Sequence, residues 1–411
     1  MRVQCALQMT AGAPQRGPEA RREARKDSSV IDSPHLVDTT LFYSPTSGGV
    51  KRYLSAKHEW LAAHAGWRHT IVVPGRESRV ERGGVSTLAG YPVPGTFNYR
   101  LPLAPRKWLR LIDSLEPDLI EAGDAFHPAW AARRIARRRG IPAAAFYHSN
   151  LPQIVSRRFG GRATERAIGR YLRCLYERFD VVFAPSRLMC SVLASLGVQQ
   201  VAHQPLGVDA DVFHPRRRGD WLRDRLGLAP GARVLVYAGR FAGEKNLPVL
   251  LDAFARLGAP YHLLLIGGDR ERRPASNVTL LPYLRDSVEL AQWIASADAL
   301  VHAGTKETFG LVILEAMACG RPVVAARASA IPELVDERVG MLAEPDSGAS
   351  MAAAIAALYE RDLEALGASA RARVLRRYTW HRVFQGQMAT YASLLGTGPV
   401  RVAARQAVET S

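Results

Sequence analysis

The eighteen residues from Glu307 to Val324 constrain this chain most. Two carboxylates, Glu307 and Glu315, stand eight positions apart, with Gly310 between them. Leu311, Leu314, Met317 and Ala318 fall at three-to-four spacing, which predicts a helix starting near Gly310. Gly320 suits a left-handed cap, and Pro322 cannot continue a helix. Val323 and Val324 then begin a short buried strand. On this reading Glu307 lies in the loop before the helix and Glu315 lies inside it. The backbone N–H groups of the first turn, near Gly310 and Leu311, can bind an anion, and the helix dipole favours it. A carboxylate just ahead of that turn can accept hydrogen bonds from sugar hydroxyls, and one further in can do the same for a ribose. These are the contacts of a nucleotide-sugar site. The plainer alternative is a capped helix with acidic residues near its start.

The second half alternates strands and helices around this stretch. Strands are expected at Arg233–Tyr237, Tyr261–Ile266, Val278–Pro282 and Ala299–His302, with helices at 248–257 and Ser287–Ala295. Such alternation predicts parallel sheets covered on both faces. Arg240 and Lys245 lie on a glycine-containing loop at the carboxyl end of the first of these strands. Fixed cations there stabilise a leaving diphosphate as its charge grows, more than they stabilise the ground state. The alternative is a surface cluster of the same cations with Glu244.

The first half reads similarly. His35–Tyr43 is a strand, and Gly48 and Gly49 lead into a helix from Lys51 to His64. Further strands are expected at Thr70–Pro74, Asp118–Glu121, Ile141–Tyr147 and Val181–Pro185. Helices are expected at Leu109–Leu115 and Trp130–Arg139, and another runs from the cap Ser186 to Leu196. Residues 90–106 read as a loop on the acceptor side. His148 stands at a strand's carboxyl end, where ligands of open α/β sheets sit, although a histidine in that position is more often structural. No Gly-x-Gly-x-x-Gly or phosphate-loop lysine pattern is present, so a dinucleotide oxidoreductase and a P-loop enzyme are unsupported.

The 411 residues suffice for two domains. Four scattered cysteines without a Cys-x-x-Cys pair point to neither a zinc site nor a disulfide framework, and fit a cytoplasmic setting. Met1–Met9 has too short an apolar core for a signal peptide, and no apolar run approaches a membrane span. The net charge of +17 is concentrated in residues 38–206, where 24 Lys/Arg face 12 Asp/Glu. Within them, Arg162, Arg166, Arg170 and Arg173 form a stripe on a helix that spans about 157–178. This stripe is either a solvated face or a contact for an anionic membrane surface, peripheral at the inner face of the cytoplasmic membrane. A nucleic-acid partner is not expected, since no recognised motif accompanies the basic residues. Asp209 and Asp211 do not by themselves specify a metal site.

The stretch Glu307-Thr308-Phe309-Gly310-Leu311, with Glu315-Ala316-Met317-Ala318 and Gly320-x-Pro322-Val323-Val324, resembles the Glu-x7-Glu motif of the retaining glycosyltransferases of family four, the group 1 enzymes of GT-B fold. Gly207-Val208-Asp209 with Phe213 and Pro215 resembles that family's interdomain segment. The likeness covers roughly residues 36–395. It implies an α/β architecture of two Rossmann-like parallel-sheet domains facing a central cleft: residues 35–206 on the acceptor side and 207–375 on the nucleotide-sugar side. A helix at 376–395 would cross back to the first domain, between tails at 1–34 and 396–411.

The resemblance also implies the site. Gly48 and Gly49 face the donor diphosphate, and Arg240 and Lys245 hold it. Glu307, with Phe309, Gly310 and Leu311, meets the sugar and phosphate, Glu315 binds ribose, and His148 touches the transferred sugar. The implied reaction moves a sugar from a nucleotide-sugar to a hydroxyl of a glycan or lipid-linked acceptor, with retention and with neither metal nor cofactor. In the front-face course the leaving phosphate takes the acceptor proton; a covalent Glu307 adduct is the alternative. Ser329 and Ala330 depart from the family, where a glycine pair is common. The segments Gly48–Tyr53 and Phe146–Ser149 look most like mannosyltransferases, which favours GDP-mannose over UDP-glucose. A non-catalytic nucleotide-sugar or polyanion binder, an epimerase and a phosphorylase are the remaining alternatives.

Overall fold

Short runs of Val, Ile, Leu and Ala that are apolar on both faces pack stably inside a parallel sheet covered by helices. This chain builds two such sheets. The computed structural model describes residues 33–43, 48–93, 99–102, 104–152 and 162–397. The expected terminal tails, most of the 90–106 loop's tip and the start of the 157–178 helix lie largely outside them.

In chain order the first half supplies β1 (His35–Thr39), α1 (Gly49–His64), β2 (Arg68–Gly75), β3 (Val85–Ala89), the ribbon strands β4 (Tyr91–Pro92) and β5 (Arg100–Leu101), α2 (Pro105–Ser114), β6 (Leu119–Ala122), α3 (His127–Arg139), β7 (Ala143–Phe146), α4 (Arg162–Tyr176), β8 (Val181–Ala184), α5 (Arg187–Ser195) and β9 (Val201–His203). Its sheet runs β3-β2-β1-β6-β7-β8-β9, parallel throughout. β1 is shorter than expected. Asp124 accepts the Leu41 N–H at 2.5 Å and the Thr40 hydroxyl at 3.0 Å, and so draws the chain off the sheet toward the cleft.

The second half supplies α6 (Trp221–Leu226), β10 (Arg233–Ala238), α7 (Leu247–Leu257), β11 (Tyr261–Gly268), β12 (Arg272–Ala275), β13 (Val278–Pro282), α8 (Ser287–Ser296), β14 (Ala299–His302), α9 (Leu311–Ala318), β15 (Val323–Ala326), β16 (Gly340–Ala343), α10 (Gly348–Leu358), α11 (Leu363–Arg377) and α12 (Trp380–Leu395). The sheet order is β12-β13-β11-β10-β14-β15-β16, parallel except for the exposed edge strand β12. The crossing helix expected at 376–395 starts only at Trp380, because α11 runs on to Arg377. The chain breaks at Thr379, whose hydroxyl caps α12 by accepting the Arg382 N–H.

α12 returns to the first sheet. Its buried Gln387 donates to the Tyr53 hydroxyl at 2.6 Å and to Glu121 at 3.1 Å, and Tyr391 donates to Glu121 as well. The junction is apolar too: Leu206, Val208 and Phe213 share one core with Trp60, Phe384 and Ile313. The two sheets thus face one another across a cleft at their strand carboxyl ends.

Candidate active site in the interdomain cleft

The cleft encloses about 630 Å³, the size of a small-molecule site. The second domain builds one wall. β10 runs out into Gly239 and Arg240, and beside it Gly267 is the last residue but one of β11. The two backbones are so close there that a Cβ on Gly267 would sit 1.9 Å from the Gly239 carbonyl oxygen, at a φ of +136°. Arg240 and Lys245 follow on the adjoining turn and line the cleft. Arg240 lies 3.8 Å from Glu244.

β14 leads to Glu307, which also lines the cleft. Lys245 pairs with its carboxylate, and the His302 ring nitrogen Nε2 lies 3.1 Å from the same oxygen. Burial opposes charge on Glu307, but Lys245 and His302 outweigh it and hold the carboxyl well below the usual range. Glu307 is therefore an anion at neutral pH. Phe309 is buried against Tyr378. Gly310, at φ +106°, forms the N-cap of α9, so Gly310, Leu311 and Val312 open that helix's N-terminus into the cleft. Glu315 sits one turn further in, buried, and pairs with Arg52 of the first domain.

Ser329, one of the two residues replacing the family's glycines, adopts φ +51° and donates its hydroxyl to the Thr305 carbonyl at 2.6 Å. It takes up the left-handed backbone that glycine adopts freely and fastens the loop before Glu307.

The first domain builds the opposite wall. Gly48 and Gly49 open α1 toward Leu311: a Cβ on Gly49 would lie 3.2 Å from the Leu311 Cδ1. His148 follows β7. Its ring stacks on Phe146 at 4.1 Å between centroids and meets the Tyr53 edge at 5.1 Å. Its Nε2 is buried without a hydrogen-bond partner. Burial, helped by the nearby Lys57 and opposed by Glu121, pushes its pKa down to about 3. His148 is thus a neutral imidazole that can exchange hydrogen bonds with a ligand but holds no proton to donate as an acid.

All ten residues expected at the site from sequence line this one cavity: Gly48, Gly49, His148, Arg240, Lys245, Glu307, Phe309, Gly310, Leu311 and Glu315. Asp209, half of the Asp-x-Asp pair, instead caps a local turn by accepting the N–H groups of Asp211 and Val212 at 3.0 Å.

Two features escaped the sequence reading. One is Arg52, which joins Glu315 across the cleft. The other lies behind His148, where the buried Lys57 ammonium pairs with Asp38 and Glu121, each at 2.8 Å. His69 contacts Asp38 at 2.5 Å, and Tyr53, Gln387 and Tyr391 complete the cluster. A faint signal existed: Asp38 interrupts the apolar strand β1, and Lys57 lies four residues after Tyr53 on α1.

Comparison with known proteins follows the same division. Residues 47–212 match the family described as Glycosyltransferase Family 4, and residues 232–361 match Glycosyl transferases group 1. A GDP-mannose-dependent alpha-(1-6)-phosphatidylinositol dimannoside mannosyltransferase of Mycobacterium tuberculosis is 29% identical over 378 residues, covering 87% of this chain and 96% of the relative. A GDP-mannose-dependent alpha-mannosyltransferase of the same species is 31% identical over 302 residues, covering 71% and 76%. Among solved structures, sucrose-phosphate synthase from Thermosynechococcus elongatus superposes with a TM-score of 0.73 at 21% identity, over 88% of this chain and 99% of that one. Anabaena HepE in complex with UDP-glucose gives 0.69 at 19% identity, over 87% and 99%. The chain belongs to glycosyltransferase family four and is a glycosyltransferase of GT-B fold.

Proposed function

We propose that this enzyme transfers mannose from GDP-mannose to a hydroxyl of a lipid-linked or glycan acceptor, with retention and without a metal. The observation that carries the reading is the convergence of Arg240, Lys245, Glu307, Glu315 and His148 on one cleft in a chain with similar relatives that are named for GDP-mannose. The nucleotide lies on the second domain, with its ribose at Glu315 and its diphosphate between the N-terminus of α9, Gly48–Gly49, Arg240 and Lys245. Charge that develops on the leaving diphosphate is met by cations already in place. Glu307 and neutral His148 accept and donate hydrogen bonds to the sugar hydroxyls and fix its ring.

The acceptor enters over the first domain, past Phe42, Phe126 and Tyr147. Its oxygen bonds to the anomeric carbon on the face that the phosphate oxygen leaves. Its proton passes to that phosphate oxygen, so no side chain need serve as base. A UDP-sugar donor is the second reading.

We also assign the outer surface of the first domain to an anionic membrane. α3 and α4 pack side by side through Trp130, whose Nε1 donates to the Tyr171 hydroxyl at 3.1 Å. α3 exposes Arg134 and Arg137, and α4 exposes Arg166 and Arg170. Among the described residues no helix is long and apolar enough to cross a membrane. The enzyme then works peripherally at the inner face of the cytoplasmic membrane on a lipid-borne acceptor. Charge reversal at these four arginines abolishes sedimentation with anionic vesicles if the surface binds lipid, and leaves it unchanged if it is only solvated.

Turnover with GDP-mannose and with UDP-glucose, in EDTA and with a mannosylated lipid extract as acceptor, tests the donor. Nuclear magnetic resonance of the product reads its anomer. Mannose transfer in EDTA giving an α-linked product is expected. Transfer from UDP-glucose alone overturns the donor, a β-linked product overturns retention, and no transfer from either overturns the catalytic reading.

A further inference from the structure

Arg52 stands in the first turn of α1, three residues after Gly49, and reaches out of its own domain to Glu315 on α9. Glu315 is 3% exposed, so its carboxylate is costly to bury without a countercharge. Arg52 supplies that charge, yet about a third of its own side chain stays open to the cleft. The contact joins one guanidinium nitrogen to one carboxylate oxygen. The planar guanidinium carries five N–H donors, so most of its donor capacity lies outside this contact.

The surroundings favour an anion. The N-termini of α1 and α9 meet where Gly49 faces Leu311, and both open into the cavity that Arg52 lines. Arg240 and Lys245 line the same cavity. Each of these three cations lies against a carboxylate: Lys245 on Glu307, Arg52 on Glu315 and Arg240 near Glu244. A nucleoside diphosphate changes both members of such pairs at once. Its ribose hydroxyls offer Glu315 hydrogen-bond donors, and its phosphates offer Arg52 acceptors that an arginine fork suits.

We propose that Arg52 is a ligand of the donor's diphosphate, supplied by the acceptor domain: it neutralises Glu315 through one contact and gives its remaining N–H donors to the phosphates of the bound donor. This rests on the nucleotide-sugar reading above. Filling the second domain then draws on a side chain of the first, so donor loading itself joins the two halves of the site.

The test is titration of guanosine, GMP and GDP, with the uridine series alongside, into the wild type and Arg52→Ala. Loss of a charge-assisted hydrogen bond weakens diphosphate binding by about tenfold to a hundredfold. The nucleoside, which has no phosphate for Arg52, changes by about twofold or less. An equal loss for nucleoside and diphosphate overturns the proposal and leaves Arg52 as a holder of Glu315. Unchanged diphosphate binding overturns it as well.

Glu315→Gln supplies the second arm, since it removes the charge that Arg52 neutralises and keeps the shape. Arg52→Ala added to that background still weakens the diphosphate by the same factor if Arg52 acts on phosphate. The effect vanishes if it acts only through Glu315, which again overturns the proposal. Lys245→Ala is the reference: if it loses diphosphate affinity while Arg52→Ala does not, the nucleotide site stands and only the role of Arg52 falls. Failure of every nucleotide to bind the wild type overturns both readings.

Discussion

The side-chain hydroxyl of Thr308 donates to the main-chain carbonyl of His148 at 3.0 Å. It ties the residue next to Glu307 in the second domain to the strand end that carries the candidate sugar contact in the first. The two walls of the cleft are therefore positioned against each other beside the two side chains proposed to hold the transferred sugar. Thr308→Val keeps the shape and removes the bond. A net hydrogen bond is worth about 1 kcal/mol, so kcat/KM falls about fivefold while the melting temperature barely moves. Steady-state kinetics and a thermal scan on the same preparation check this.

Glu307 and Lys245 neutralise one another at the floor of the site. Glu307→Gln removes the anion and releases the lysine for phosphate. We expect nucleoside diphosphate binding to hold or to tighten by about two- to tenfold, while sugar transfer falls about a hundredfold or more. Calorimetry and turnover measured together separate these effects. A parallel loss of both would place Glu307 on the nucleotide rather than on the sugar.

Lys57 is 1% exposed between Asp38 and Glu121, and α12 closes the cluster through Gln387 and Tyr391. Burial pushes both carboxyls up, and Lys57 works against it. Lys57→Met leaves two buried acids without their cation and costs about 3–5 kcal/mol of stability in urea unfolding. Asp38→Asn with Glu121→Gln in the same chain recovers part of that loss, because the uncompensated charges are gone.

Three buried histidines are held neutral, which sets a sign for pH. Burial pushes His148 down to about 3 and His262 down to about 4, and burial with Lys57 pushes His69 well down. Between pH 6.5 and pH 4 the unfolded chain binds protons at these sites that the folded chain refuses. Stability therefore falls as pH falls through that window, by at most about 1.4 kcal/mol per pH unit for each histidine. Melting temperatures from pH 7.5 to pH 4 follow this slope. His262→Gln, which keeps a polar group opposite Thr279, makes the slope shallower.

The parts legible in the sequence were those written in local pattern. The helix between Gly310 and Gly320 follows from its own spacing and breakers, and the parallel sheets follow from the alternation of short apolar strands with helices. β3, β9, β12 and β16 were not anticipated. Ser86 and Thr87 interrupt β3, β9 is only Val201–His203, and β12 is an exposed edge. Such strands exist because a neighbour offers a ladder, which no local window records. The same limit hid Arg52 with Glu315, separated by 263 positions, and Gln387 with Tyr53, separated by 334. Glu315 stands out by its own motif, but nothing local marks Arg52 as its partner, nor Gln387 and Tyr53 as each other's, until the fold sets them side by side.

The central claim is that this cleft binds a nucleoside diphosphate through Lys245 and its neighbours. The most direct measurement is the melting temperature of the wild type and of Lys245→Ala with GDP, UDP, ADP and their sugars, in EDTA. A ligand at a hundred times its Kd adds about 2.7 kcal/mol to the folded state, enough to raise the melting temperature by several degrees. The account predicts a rise of that size with GDP and GDP-mannose in the wild type, and a much smaller one in Lys245→Ala. The absence of a rise with any nucleotide, or the same rise in both proteins, would contradict it.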